Sequence, residues 1–103
     1  MRRGSTPVNV FELDIDLHDA TVFVSYEQDR AVVVEKTNED LIFAQDDQTY
    51  TISLNLSQED TLKFHPGKVE IQIRYVFPSG TADASDIIPT TFERIIKDGV
   101  IAP

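Results

Sequence analysis

Thr49 to Leu56 alternates with period two, with Tyr50, Ile52, Leu54 and Leu56 on one parity and Thr49, Thr51, Ser53 and Asn55 on the other. Successive side chains of a strand point to opposite faces, so this pattern predicts a strand buried on one side only. Val69, Ile71, Ile73, Tyr75 and Phe77 alternate in the same way with Glu70, Gln72 and Arg74. So do Ala20, Val22, Val24 and Tyr26 with Thr21, Phe23, Ser25 and Glu27. Over residues 8–16 the inward parity holds Phe11, Leu13 and Ile15, while Val8 and Val10 fall on the other. That switch predicts a bulge or a change of face near Phe11. Residues 31–36 and 41–45 read as shorter strands. A less regular last strand is expected over residues 86–97, with Ile88, Phe92 and Ile96 as inward anchors.

Polar clusters punctuate these runs at Leu17-His18-Asp19, Gln28-Asp29-Arg30, residues 37–40, Asp46-Asp47-Gln48, His65-Pro66-Gly67 and residues 78–81. The second and fourth predict hairpins. About seven short strands and no amphipathic helix predict an all-β, antiparallel β-sandwich, because two inward faces must bury each other. Residues 1–6 read as a flexible lead, residues 7–97 as the single sandwich domain and residues 98–103 as a tail. Pro89 lacks a ladder donor, which assigns the last strand to an edge or a bulge.

The segment L-S-Q-E-D-T-L-K-F, residues 56–64, interrupts the alternation. Ser57 and Asp60 have the spacing of a capping box, and acids at a helix N-terminus are favoured by the peptide dipoles. One short helical turn near residues 57–62 is therefore expected, with Leu62 and Phe64 pointing inward as the chain passes from one sheet to the next.

Composition narrows the function classes. No cysteine is present, which removes disulfides and thiolate metal sites. Eighteen acids stand against nine bases, a formal charge of −9, so nucleic acid and anionic membrane surfaces are disfavoured as partners. No apolar run is long enough to span a bilayer, and no apolar segment follows the basic start as in a secretory signal. The expectation is a chain made in the cytoplasm and not secreted by a signal peptide.

Candidate chemistry is sparse. Asp14, Asp16, His18 and Asp19 form the densest oxygen-rich cluster, a possible hard-cation site whose spacing departs from an EF-hand loop. Glu59-Asp60 and Glu39-Asp40 are adjacent pairs whose side chains diverge, a poor arrangement for acid–base work across a bond. His65 reads as a turn residue. With no nucleophile elbow and no phosphate loop, the chain is expected to be non-enzymatic, without cofactor or metal. A glycan-binding module is the alternative, but Tyr26 and Phe23 are its only aromatic candidates. Association through exposed apolar groups has its candidates in Phe23, Val33, Val76, Val100 and Ile101.

The E-D-T triplet followed by an aromatic residue resembles the corner before the penultimate strand of immunoglobulin variable domains. Phe64 stands where that corner carries Tyr, and the buried Trp and paired Cys are missing. The tight hairpin at Gln28-Asp29-Arg30 also departs from strict immunoglobulin order. The expectation is thus an immunoglobulin-like sandwich reached by the same corner physics. Across almost the whole chain, the segments M-R-R-G-S-T-P, V-S-Y-E-Q-D-R-A-V-V-V-E-K-T, L-S-Q-E-D-T-L-K-F, G-K-V-E-I-Q-I-R-Y-V-F, G-T-A-D-A-S-D-I-I and E-R-I-I-K-D-G-V-I resemble small prophage-encoded proteins from tail or baseplate regions of Firmicutes phages. They are similar, more loosely, to the N-terminal β-sandwich domain of phage baseplate upper proteins. The resemblance implies a virion-associated structural or adaptor module. Its partners would be other tail or baseplate proteins, or further copies of itself. Relative to that pattern, Asp29-Arg30 replaces Asn-Gly and Asp46-Asp47 replaces a glycine-containing turn, so longer or different turns are expected.

Overall fold

Antiparallel pairing sorts the chain into two sheets. In the computed structural model of all 103 residues, the strands are β1 (Val8–Leu13), β2 (Thr21–Gln28), β3 (Ala31–Thr37), β4 (Leu41–Asp46), β5 (Thr49–Asn55), β6 (Gly67–Val76), β7 (Ala82–Ala84) and β8 (Ile88–Phe92). A 3-10 turn, Asn38–Asp40, precedes β4, and one helix, α1 (Gln58–Leu62), joins β5 to β6. One sheet has the order β1-β5-β4; the other runs β3-β2-β6, with β7 and β8 both paired to the far edge of β6. Read as strands B, E and D facing C′, C, F and a two-part G, this is the variable-type arrangement, in which C′ joins the C-F-G sheet. The fold is an immunoglobulin-like β-sandwich. The hairpin at residues 28–30, expected to depart from immunoglobulin order, is the connection between C and C′ and fits it.

The inward parities read from the sequence form one buried cluster. Val22, Val24 and Tyr26 of β2 and Val69, Ile71 and Ile73 of β6 pack with Phe11, Leu41, Ile52 and Leu54 of the smaller sheet. Each such apolar side chain, fully buried, contributes roughly 1.5–3 kcal/mol. The Tyr26 hydroxyl donates to Asn9 Oδ1 at 2.6 Å, so a wholly buried ring keeps its polar end satisfied. Burial pushes its phenol pKa well up.

Helix α1 forms as its capping residues require. Asp60 N donates to Ser57 Oγ at 3.0 Å and Ser57 N donates to Asp60 Oδ2 at 3.0 Å. Asp60 also meets Lys36 Nζ at 2.9 Å. Burial alone would raise the Asp60 carboxyl, but the Ser57 amide and the Lys36 ammonium outweigh it and hold the pKa below the ordinary carboxylate value. Thr61 is fully buried and donates to Ser5 O at 2.8 Å. Just past the helix, the Phe64 ring stacks on Phe92 at 4.4 Å and 8°, and meets Tyr26 edge-on at 6.3 Å. Offset-stacked and edge-to-face pairs of this kind add to plain area burial.

Several expectations are corrected. β1 pairs with β5 without a break from Val8↔Asn55 to Leu13↔Tyr50. No bulge lies near Phe11, and Val8 and Val10 simply face outward. The irregularity falls instead between Tyr26 and Glu27 in the β2–β3 register. The last strand is split, because Ser85 interrupts the backbone ladder and its hydroxyl accepts from Ile73 N at 3.0 Å. β8 ends at Phe92 and leaves Ile96 93% exposed rather than anchored. Pro89 lies on an edge strand as expected, opposite Glu70. Asp29-Arg30 makes a two-residue turn, not a longer one, with both residues left-handed at φ 54° and 65°.

Residues 1–6, expected as a loose lead, are tied down. Arg2 bridges Glu93 in parallel, and Arg3 donates to Phe64 O at 2.6 Å and Leu62 O at 3.1 Å and pairs with Asp98 at 3.1 Å.

Removing the cap or the wedge tests this account. Ser57→Ala is expected to lower stability by about 1 kcal/mol, and Phe64→Ala by about 3–5 kcal/mol, both read from urea unfolding curves. Asp60 has a lowered folded pKa. Its contribution is therefore present above the unfolded carboxylate value and lost as pH falls through the folded one. Asp60→Asn should flatten the acid limb of a stability-against-pH profile.

Candidate interaction surfaces

The outer face of the three-stranded sheet has no layer over it. Pairing puts Val10 of β1 and Ile42 of β4 on either side of Ser53 of β5, so the three form one row across the sheet. Val8, Val10 and Ile42 are 61%, 59% and 64% exposed. Thr51, Ala44 and Asn55 fill the same face, with Glu12 and Asp46 at its border. An apolar row on a flat, largely uncharged sheet face is the kind of feature that marks contact surfaces.

The five residues singled out for association do not share one surface. Phe23 and Val76 do lie together on the outer face of the larger sheet, opposite Arg74 and Thr21. With Tyr75 and Ala82 they line a shallow hollow of about 300 Å³. Val33 packs against the core beside the β2–β3 irregularity, and its neighbour Val32 is exposed instead. Val100 and Ile101 are exposed on the tail. There the Gln58 side chain holds Ile101, donating to its carbonyl at 3.0 Å and accepting from its N–H at 2.9 Å. The tail thus sits by α1, at the start of β6, whereas Val76 ends that strand. Of the two aromatic residues considered for a glycan platform, Tyr26 is wholly buried and Phe23 half-buried.

Where β1 leads into β2, against β4 and β5 of the smaller sheet, lies an open, mostly apolar cavity of about 280 Å³. Leu13, Ile15, Leu17, Phe43, Tyr50 and Ile52 line it, with Asp16, His18 and Gln45 among its polar groups. His18 Nδ1 pairs with Asp16 Oδ1 at 2.8 Å and Nε2 with Asp19 Oδ1 at 3.0 Å. The hydrogen bond its ring donates to Asp16 raises the imidazole pKa, and the His18 amide and ring lower that of Asp16. No three of the acidic and histidine side chains converge on a metal position. Asp40 accepts from Thr37 N at 3.1 Å, Asp60 belongs to the α1 cap, and the His65 ring pairs with Asp29.

The Gln28 side chain, which sequence reasoning passed over, is buried. It donates to His65 O at 2.8 Å and accepts from His65 N at 3.0 Å, fixing the turn into β6. The Val8–Val10–Ile42 face did carry a signal, since alternation places all three opposite Phe11, Leu41 and Phe43.

No family model and no curated protein matches the chain. Among solved structures, the chain is similar to the V domain of amphioxus IgVJ-C2, with 13% identity over 92% of this chain and 97% of that one and a TM-score of 0.38. So distant a likeness carries nothing about binding or activity.

The Asp16–His18–Asp19 cluster makes a prediction for solution. By NMR, the His18 ring should titrate above the ordinary histidine value of 6.5. Its contribution to the loop is fully present below that value and lost as pH rises through the folded pKa. Asp16→Asn should bring the midpoint back toward the ordinary value.

Proposed function

We propose that the chain is a non-catalytic adaptor of a phage tail or baseplate that works through protein–protein contact. The observation that carries the contact reading is the exposed Val8–Val10–Ile42 face of the three-stranded sheet. It needs no rearrangement to meet a partner, and its threonine, serine and alanine neighbours allow close approach. The phage setting is supported by the multi-segment sequence resemblance alone. Most of the conspicuous titratable groups are engaged in caps, turns and pairs, as Asp60, Asp40, His65 and His18 show, and such groups serve the fold.

The test is particle composition. Phage particles induced from a strain carrying the gene are expected to contain the chain together with tail and baseplate proteins, by mass spectrometry. A Val10→Lys, Ile42→Lys variant should be depleted from particles by about tenfold or more while its melting curve stays close to the parent's. Absence of the parent chain from particles, together with a strict monomer by light scattering, would overturn the proposal.

A further inference from the structure

A two-sheet sandwich has four edges, each a row of unpaired N–H and C=O groups that must be blunted to prevent unwanted pairing. Three of them are. β1 opens after Pro7 and carries Glu12 near its end. β3 is irregular opposite Tyr26 and Glu27 and bears Glu35 and Lys36. The fourth position beside β6 is broken into β7 and β8 and contains Pro89. β4 has no proline, break or irregularity, and its one charge, Asp46, stands at its last residue. Leu41-Ile42-Phe43-Ala44-Gln45 is uncharged, free of proline and glycine and unbroken in its register with β5, and β4 pairs only with β5.

The register says which groups are free. The two-residue turn Asp47-Gln48 makes Asp46 and Thr49 a hydrogen-bonding pair. Alternation then directs Ala44 and Ile42 to β5, and turns the N–H and C=O of Phe43 and Gln45 to the open side; Leu41 adds only its C=O, because its N–H donates to Asn38 O. The bond from Leu56 N to Pro7 O at 3.0 Å sets the same phase independently, since it commits the even-numbered residues of β5 to β1. Beside this edge lies the cavity of about 280 Å³, to which Phe43, Ala44 and Gln45 contribute. The pieces of strand addition are together: a row of free main-chain groups, and a pocket for an alternate side chain.

Charge selects the occupant. Glu39 and Asp40 precede β4, and Asp46 and Asp47 end it. A second copy paired antiparallel would set Asp46 and Asp47 against Asp40 and Glu39 of its neighbour, and a parallel copy would set like acids side by side. Like charges directly opposed are destabilising. Resting on the protein-contact reading above, we infer that the free edge of β4 receives an extended segment of a partner protein, apolar in its middle and basic at both ends.

The test titrates the ¹⁵N-labelled intact chain with a short peptide of alternating valine and threonine closed by lysines. Shifts and slowed amide exchange are expected at Phe43 and Gln45, with β1 and β3 unaffected. Gln45→Pro removes an outward donor and no bond to β5, and should weaken binding by about tenfold without loss of the folded spectrum. A peptide closed by glutamates needs no variant to fold and should bind at least about tenfold more weakly. Equal binding of the two peptides, no shift at millimolar peptide, shifts confined to other elements, or concentration-dependent dimerisation through β4 would each overturn the inference. If particle incorporation depends on Val10 and Ile42 while β4 stays silent to the peptide, the adaptor reading stands and this one falls.

Discussion

The Phe64 ring, held between Phe92 and Tyr26, is the contact on which the sandwich depends. The chain has no cysteine to staple its sheets, so the layers stay together through buried apolar contact and through the connection that crosses between them. Phe64 sits where α1 hands the chain from β5 to β6, and it touches the first long strand of the larger sheet and the last. The cap on α1 therefore matters beyond one helical turn. By fixing Ser57 and Asp60 it fixes the angle at which Phe64 enters the core. Lys36, pairing with Asp60 from β3, ties that angle to the far edge of the same sheet.

The same economy explains the chain's beginning. Arg3 donates to the carbonyls of Leu62 and Phe64, groups that a helix of five residues leaves without internal partners. A charged side chain thus completes the helix C-terminus, where positive charge is favoured, and draws the first residues onto the last strand's end. Gln28 serves the turn that follows in the same manner. These side chains do for the corner what a tyrosine hydroxyl does in domains that carry one.

How much of this was legible follows from how local each determinant is. Tyr50 to Leu56 announced its strand because period-two alternation needs no partner to be read. Ser57 and Asp60 announced the helix because a capping box lies within four residues. Arg3 and Gln28 could not be foreseen, since their partners lie 61 and 37 residues away and nothing nearby marks them. Val8 and Val10 are visible in the sequence as apolar residues on the outward parity, but a switch of parity reads equally as a bulge. Whether a face is covered is a property of how many layers the fold has, which no single strand states. The split of the last strand turns on Ser85, whose hydroxyl stands in for a backbone group, and the bare edge of β4 emerges only when all four edges are compared.

The hairpin tip at Asp29-Arg30 pairs two unlike things. Its backbone occupies the left-handed region at two consecutive residues without glycine, a conformation that costs L-residues energy. The Asp29 carboxylate meanwhile engages the His65 ring, whose pKa it raises. The attraction opposing that backbone cost is present while the ring is protonated and fades as alkalinity removes the proton. The hold of that side-chain pair on the β2–β3 hairpin tip thus varies with the proton on His65, while the main-chain ladder beneath it carries no titrating group.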